Sequence, residues 1–253
     1  MEEIVQDSQK EGDLLRQEIL RAIYDFYQEF ISGYPVACQK GCSTCCTTSV
    51  CATSFEAEFL LKGAVSLGEE GAGLLAMADR ARKAEHFQPS CTINTSADIC
   101  LKGHSPPEEV SALSFDPCPF LSARGECSLY SWRPFACRAM VSRKRCVAGG
   151  EADMPPFLIT VNLAMCQVLE HLDRDGYYGN ILDLLPVVSG KMDVSSFQGA
   201  VKTNRSLSCF VVPPDEAARF KSFMRRLSSV TVEKSGSQVK VGDLLPEEWT
   251  LLN

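Results

Sequence analysis

The sequence predicts a mainly α-helical fold with a small β-hairpin, built around an irregular metal-binding centre that two cysteine blocks form. Apolar residues recur at three- and four-residue spacing in several stretches, which is typical of amphipathic helices. Four of the thirteen cysteines lie within nine residues, in CQKGCSTCC, and a second group follows about seventy residues later. Two stretches that are distant in sequence are therefore expected to fold together around one site.

The N-terminal region, 1–32, is predicted to form one amphipathic helix. Leu15, Ile19 and Ile23 are spaced to share one helix face. Gly33 follows as a residue that ends helices. The first cysteine block begins directly after this helix.

Two more helices are predicted between the cysteine blocks. Thr53 with Glu56 three residues later has the pattern of a capping box, which starts a helix. Another helix is expected over 69–87. The stretch 89–107 contains several turn-forming residues and is predicted to be a connecting loop.

The second cysteine block is predicted to form a hairpin followed by a short helix. Phe120 and Leu121 are expected to turn through Arg124 and Gly125 into a second strand over 127–130. Pro134 favours the start of a short helix, because proline suits the first helical turn. This hairpin is the small β element of the predicted fold.

The C-terminal region, 155–253, is predicted to be mainly helical. The expected elements are helices over 155–174 and 213–227, a shorter apolar stretch over 181–188, and a strand pair over 230–232 and 239–241. The strand pair is expected to turn through Ser235 and Gly236. The sequence predicts one domain over 1–253. It consists of the N-terminal helix, a core motif region over 38–146 and this C-terminal region.

Composition restricts the compartment and the partners. Residues 1–13 are acidic and contain no apolar stretch of signal-peptide length, so a cytoplasmic location is expected. The longest apolar run, 157–169, is too short to span a bilayer. The net charge of −7 argues against attraction to nucleic acid or to an anionic membrane. In contrast, the segment 118–146 carries six basic residues and one acidic residue. Its local positive charge would offset the negative charge of thiolates.

The density of cysteines predicts metal binding, because thiolates select zinc, copper(I) or iron–sulfur clusters. A zinc ribbon would show two separate knuckles, each with two cysteines. One dense loop paired with widely spaced cysteines fits an iron–sulfur cluster, or more than one metal, better. The adjacent Cys45 and Cys46 are expected to diverge, as neighbouring side chains do in extended backbone. They would then serve different metals or faces, or only one of them would be a ligand.

The cysteines outside the two blocks are interpreted separately. Cys166 and Cys209 lie in apolar stretches and are expected to pack in the core, since free cysteine is commonly buried. The roles of four others stay open: Cys51, Cys91, Cys100 and Cys146. No histidine lies in a recognisable cysteine–histidine setting, so ordinary nucleophilic catalysis is not expected.

The string CQKGCSTCC, followed by CPFL, GECSLY and RPFACR, resembles the motifs of a family of zinc- or iron-chelating cysteine-cluster proteins. This family is called YkgJ-like and includes a flagellin lysine N-methylase. The resemblance covers 38–146. It implies seven metal ligands: Cys38, Cys42, Cys45, Cys46, Cys118, Cys127 and Cys137. It also implies that Arg133, Pro134 and Arg138 shape the site.

Three functions are compatible with these motifs. The first is a metal-binding protein that chelates iron, as an iron–sulfur cluster, or zinc. The second is an S-adenosylmethionine-dependent enzyme that resembles the lysine N-methylase and uses the metal centre on a protein substrate. The third is a structural zinc domain of an interaction protein. A metal ion is the partner common to all three, and S-adenosylmethionine is a cofactor of the second only.

Overall fold

The computed structural model of this protein describes residues 2–109, 111, 113–147, 149–234, 237–247 and 250–252. The described residues form eight α-helices: α1 (Glu2–Ser32), α2 (Ser54–Ser66), α3 (Glu69–Ala81), α4 (Ile93–Leu101), α5 (Phe135–Ala139), α6 (Pro156–Leu172), α7 (Ile181–Val188) and α8 (Ala217–Ser228). About 48% of the chain is helical, so the mainly α-helical prediction is confirmed.

The strands are short: β1 (Cys51–Thr53), β2 (Tyr177–Asn180), β3 (Lys202–Thr203), β4 (Cys209–Val211), β5 (Thr231–Lys234), β6 (Ser237–Lys240) and β7 (Thr250–Leu252). The first three strands form an antiparallel sheet in the order β1-β2-β3. Cys51 pairs with Asn180 in this sheet, and Thr53 pairs with Tyr178. This sheet was not predicted from the sequence.

The described chain separates into two compact units. One comprises 1–35 and 212–248 with residue 253, and the other comprises 36–211 and 249–252. Both cysteine blocks belong to the second unit. The single domain over 1–253 stays a prediction.

In the first unit, α1 and α8 pack through aromatic side chains. The ring of Phe223 lies 5.4 Å from that of Phe26 and 4.9 Å from that of Phe30, measured between centroids. Strands β5 and β6 form the predicted antiparallel pair, in which Val232 lies opposite Val239. The turn predicted at 235–236 lies outside the described residues.

In the second unit, α2 is the central helix of the core. Its start has the predicted capping box, because the Thr53 side chain accepts from the Glu56 amide and the Glu56 carboxylate accepts from the Thr53 amide. Gly63 on α2 is required by close packing, since a Cβ at this position would lie 2.2 Å from the Trp132 ring. Trp132 also stacks on Phe59, with ring centroids 4.7 Å apart. The second cysteine block is thereby held against α2.

Two predictions between the blocks were wrong. The helix predicted over 69–87 ends at Ala81, and His86 beyond it is held by a 2.9 Å contact with Asp183. The predicted loop over 89–107 contains α4, which Thr92 caps by accepting from the Thr95 amide. The buried Glu170 stabilises the same helix start by accepting from the Asn94 amide at 2.8 Å.

The predicted hairpin of the second block is confirmed as a narrow antiparallel turn with a single bridge, between Leu121 and Cys127. The Ser122 amide donates to the Glu126 carbonyl at 2.8 Å, and Gly125 has a φ of 75° that suits glycine. No described helix is both long enough and apolar enough to cross a membrane.

Candidate metal centre

The first cysteine block lies in a loop that backbone contacts hold in place. The Ala37 amide donates to the Ser142 carbonyl at 2.7 Å, which ties the start of the loop to the end of the second block. The Cys38 sulfur lies 4.0 Å from the Met140 carbonyl oxygen. Gly41 takes a φ of 89°, so the chain reverses direction before Cys42.

Cys45 and Cys46 do not diverge, contrary to the sequence prediction. Their backbone forms a turn in which the Cys46 amide donates to the Ser43 carbonyl at 2.9 Å. In this turn the Cys46 thiol donates a hydrogen bond to the Cys45 sulfur, which lowers the pKa of Cys45 to about 6. The same hydrogen bond raises the pKa of Cys46. The pair therefore holds one thiolate readily and a second one only with an added positive charge.

The two cysteine blocks are joined directly through their backbones. The Cys118 amide donates to the Cys46 carbonyl at 3.0 Å, and the Thr48 amide donates to the Asp116 carbonyl at 3.0 Å. An antiparallel bridge between Thr47 and Pro117 lies between these two contacts. The convergence that the sequence predicts is thus present in the backbone.

The thiols of the second block interact with one another and with this turn. Burial raises the pKa of Cys118 to about 11 and also raises the pKa values of Cys127 and Cys137. Mutual repulsion adds to the effect of burial, because a negative charge at Cys118 or Cys127 would disfavour one at Cys137. Five of the seven predicted ligands thus influence one another, and we call them the cysteine cluster: Cys45, Cys46, Cys118, Cys127 and Cys137.

The other two predicted ligands belong to a neighbouring group. Burial raises the pKa of Cys38, and Cys42, Cys146 and Cys45 add smaller electrostatic contributions in the same direction. Cys146 therefore lies near Cys38, although the sequence left its role open. Its position after a basic run gave no spacing signal that could have assigned it.

Arg133 is the cation of the cysteine cluster. It lowers the pKa values of Cys45, Cys127 and Cys137, opposing the effect of burial on the last two. Its guanidinium carbon lies 4.0 Å from the centre of the Tyr130 ring. Its Nε is buried and has no hydrogen-bond partner among the described residues. One buried N–H group thus stays available beside the cysteine cluster.

Arg138 and Pro134 hold the backbone of the second block. The Arg138 guanidinium donates to the Arg133 carbonyl at 3.0 Å and to the Ser131 carbonyl at 2.8 Å. Pro134 is the N-cap of α5, as the sequence predicts, and its carbonyl accepts from the Cys137 amide at 3.1 Å. The Phe135 amide donates to the buried Glu56 carboxylate at 2.7 Å, so α2 fixes the position of α5.

Within the part of the chain that the structure describes, no three histidine, cysteine, aspartate or glutamate side chains are spaced to hold one metal ion. The donor chemistry nevertheless fits a thiolate-bound metal, since five thiols and one cation interact in the cysteine cluster. Thiols become ligands only after losing their protons, which a bound metal favours. The residues therefore suit a metal by their type, and the two blocks that carry them are paired through their backbones.

Comparisons with protein-family models, with curated proteins and with solved structures find no match to this chain. The resemblance to the cysteine-cluster family therefore depends on the motifs within 38–146, and it stays a prediction.

The two cysteines expected in the core differ from each other. Cys209 is fully buried, and its sulfur lies 3.5 Å from the Ala97 carbonyl oxygen, which confirms the prediction. Cys166 is only partly buried and lines a cavity together with Cys51 and Cys91. We call this cavity the thiol-lined cavity.

Proposed function

We propose that this protein binds iron, as an iron–sulfur cluster, through the cysteine cluster, with zinc as the alternative metal. The single observation that carries the proposal is the backbone pairing of the two cysteine blocks, in which the Cys118 amide donates to the Cys46 carbonyl at 3.0 Å. The five thiols of the paired blocks interact electrostatically, and Arg133 acts on three of them: Cys45, Cys127 and Cys137.

Each block would contribute in a different way. The turn at Cys45 and Cys46 already favours one thiolate, since hydrogen bonding lowers the pKa of Cys45 to about 6. Cys118 and Cys137 are protonated at neutral pH because burial raises their pKa values, so metal binding would release their protons. A cluster bound here would supply one-electron transfer.

Arg133 supports a cluster better than a single zinc ion. Hydrogen bonds to the sulfurs are one means by which proteins adjust iron–sulfur clusters. The buried Nε of Arg133 has no described partner and could donate such a bond. Five thiols exceed the four ligands of a structural zinc site and equally the four cysteines of one iron–sulfur cluster. The thiol count therefore does not separate the two metals, and the buried Arg133 Nε is the feature that favours iron and sulfide.

The test is an ultraviolet–visible spectrum of full-length protein purified without oxygen, together with iron, acid-labile sulfide and zinc analysis. The proposal predicts a brown protein with iron and sulfide in matching amounts. A colourless protein with stoichiometric zinc would support the alternative metal. Protein without any bound metal, which also takes up none after reconstitution with iron and sulfide, would overturn the proposal.

A further inference from the structure

The thiol-lined cavity has a volume of about 260 Å³ and is lined by residues of β1, α2, α4, α5, α6 and β2. For comparison, a cavity of about 150 Å³ holds benzene. A molecule of roughly ten non-hydrogen atoms would therefore fit. The lining includes Phe135 and Ala136, which immediately precede Cys137 in α5. A ligand in this cavity would lie on the helix that carries a member of the cysteine cluster.

The charged side chains that line the thiol-lined cavity are carboxylates. Glu56 is buried at its inner end, with 4% of its surface exposed, and Glu109 is exposed and marks its rim. Among the described residues, no lysine, arginine or histidine lines the cavity. The Glu109 carboxylate accepts from the Ser90 amide at 2.8 Å, which holds it in position.

These carboxylates affect the pKa values of the cavity thiols. Burial raises the pKa of Cys51 to about 12, and Glu109 adds to this effect. Burial also raises the pKa of Cys91, and Glu109 makes a smaller contribution in the same direction. The pKa of Cys166 is raised by burial and then by Glu56. Glu56 and Glu109 thus disfavour the thiolate forms of these cysteines, whereas Lys202, which lies outside the lining, acts on Cys91 in the opposite direction.

Aromatic side chains form part of the wall. Phe87, Phe135 and Tyr178 line the cavity together with the apolar residues Pro89 and Ile93. Aromatic faces attract cations, and ammonium groups shielded by alkyl substituents are recognised in this way. A hydrated metal ion would gain little from such a wall, whereas an organic cation would contact both the rings and the carboxylates.

We propose that the thiol-lined cavity binds a small quaternary ammonium compound, with its charge facing Glu56 and Glu109 and its alkyl groups against the aromatic wall. The proposal concerns a different set of residues from the cysteine cluster. It does not require a metal, so the two proposals can fail independently.

Choline and its neutral isostere 3,3-dimethyl-1-butanol provide a matched pair of probes for full-length protein. They have nearly the same shape and differ in charge. Isothermal titration calorimetry should show choline binding at least about tenfold more tightly, a ratio within the range of cation–π and carboxylate contacts. Equal affinities, or no binding of choline and of tetramethylammonium at millimolar concentration, would overturn the proposal.

Two variants assign the binding to the cavity. Glu109→Gln should reduce choline affinity about fivefold to tenfold, while leaving the affinity for the neutral isostere unchanged. The neighbouring Glu108→Gln is the control, because Glu108 is equally exposed and does not line the cavity. Cys166→Met places a larger side chain in the cavity and should abolish choline binding. Choline affinity that survives both Glu109→Gln and Cys166→Met would show that choline binds elsewhere.

Discussion

The cysteine cluster and the thiol-lined cavity contain the same functional group in opposite electrostatic surroundings. In both, burial raises the pKa values of thiols. Arg133 opposes this effect in the cysteine cluster, whereas Glu56 and Glu109 reinforce it in the cavity. The comparison teaches that cysteine content alone does not locate a metal site. The neighbouring charge also affects how readily a buried thiol becomes a thiolate.

Replacement of Glu56 should have the largest effect, because this carboxylate lines the thiol-lined cavity and also accepts from the first residue of α5, the helix that carries Cys137. It accepts from the Thr53 amide and hydroxyl at 3.0 and 3.1 Å, and from the Phe135 amide at 2.7 Å. Glu56→Ala removes the carboxylate half of the capping box and the tie to α5, while the Thr53 side chain can still accept from the residue-56 amide. We expect a loss of about 3 kcal/mol in the free energy of unfolding.

Urea denaturation measures this loss, and the exposed Glu58→Ala on the same helix is the control. The control should stay within about 0.5 kcal/mol of wild type. A Glu56→Ala protein as stable as this control would contradict the role assigned to the carboxylate.

Gly63→Ala should affect the cysteine cluster and spare the cavity. The added Cβ would lie 2.2 Å from the Trp132 ring, so Trp132 and the adjacent Arg133 must shift. Overpacking of this kind costs about 2 kcal/mol. We expect lower stability in urea and less retained metal, with choline affinity unchanged.

Gly73→Ala on α3 is the matched control, since nothing lies within 4 Å of a Cβ at that position. This substitution should be neutral or stabilising by about 0.5–1 kcal/mol, because alanine is the better helix former. Equal destabilisation by both substitutions would remove the argument from close packing.

Arg133→Gln tests whether the Arg133 guanidinium favours thiolates in the cysteine cluster. Without the guanidinium, thiolates of the cysteine cluster lose the cation that lowers their pKa values. Outer-shell partners of metal sites contribute about tenfold or more to metal affinity. We expect an approximately tenfold weaker affinity for zinc, used as the probe metal, in a competition assay with a chromophoric chelator.

Arg124 lies in the same block and is exposed, so Arg124→Gln is the control for the loss of one positive charge. If the two arginine variants lose affinity equally, the effect comes from net charge and the specific role of Arg133 is wrong.

The smallest effect concerns the pH dependence of stability that arises from the buried pair of His86 and Asp183. The hydrogen bond with Asp183 raises the pKa of His86, outweighing burial and the repulsion from Arg82. The folded state therefore keeps this proton to a higher pH than the unfolded chain does. The resulting stabilisation should be complete below about pH 6.5 and lost as the pH rises through the raised pKa.

Urea midpoints measured between about pH 5 and 8 test this prediction, since histidine titrates in that range. His86→Gln should remove this component of the pH dependence, and the exposed His104→Gln should retain it. A His86→Gln protein with the wild-type pH profile would show that the pair does not contribute.

Local signals predicted much of the fold. Thr53 and Glu56 give a capping box, Pro134 caps α5, and the strand pair β5-β6 follows from alternating valines. Each of these depends on residues that are close in sequence, where spacing alone determines which groups can meet.

The remaining features depend on contacts between distant residues. Strand β1 has three residues, too few for an alternating pattern, and its register comes from pairing with Asn180. The pairing of the two cysteine blocks depends on the hydrogen bond from the Cys118 amide to the Cys46 carbonyl, across 72 residues of sequence. The thiol-lined cavity combines residues from six elements, so no single stretch of sequence could have indicated it.

Metal content of two matched variants tests the central claim most directly. Cys137 belongs to the cysteine cluster and Cys166 to the thiol-lined cavity, and both are partly buried. Iron, sulfide and zinc should be measured per chain in Cys137→Ser and Cys166→Ser proteins purified without oxygen, with Cys209→Ser as the core control. The account predicts that Cys137→Ser loses most of its metal while the other two retain wild-type amounts. Equal loss in all three, or loss in Cys166→Ser alone, would contradict it.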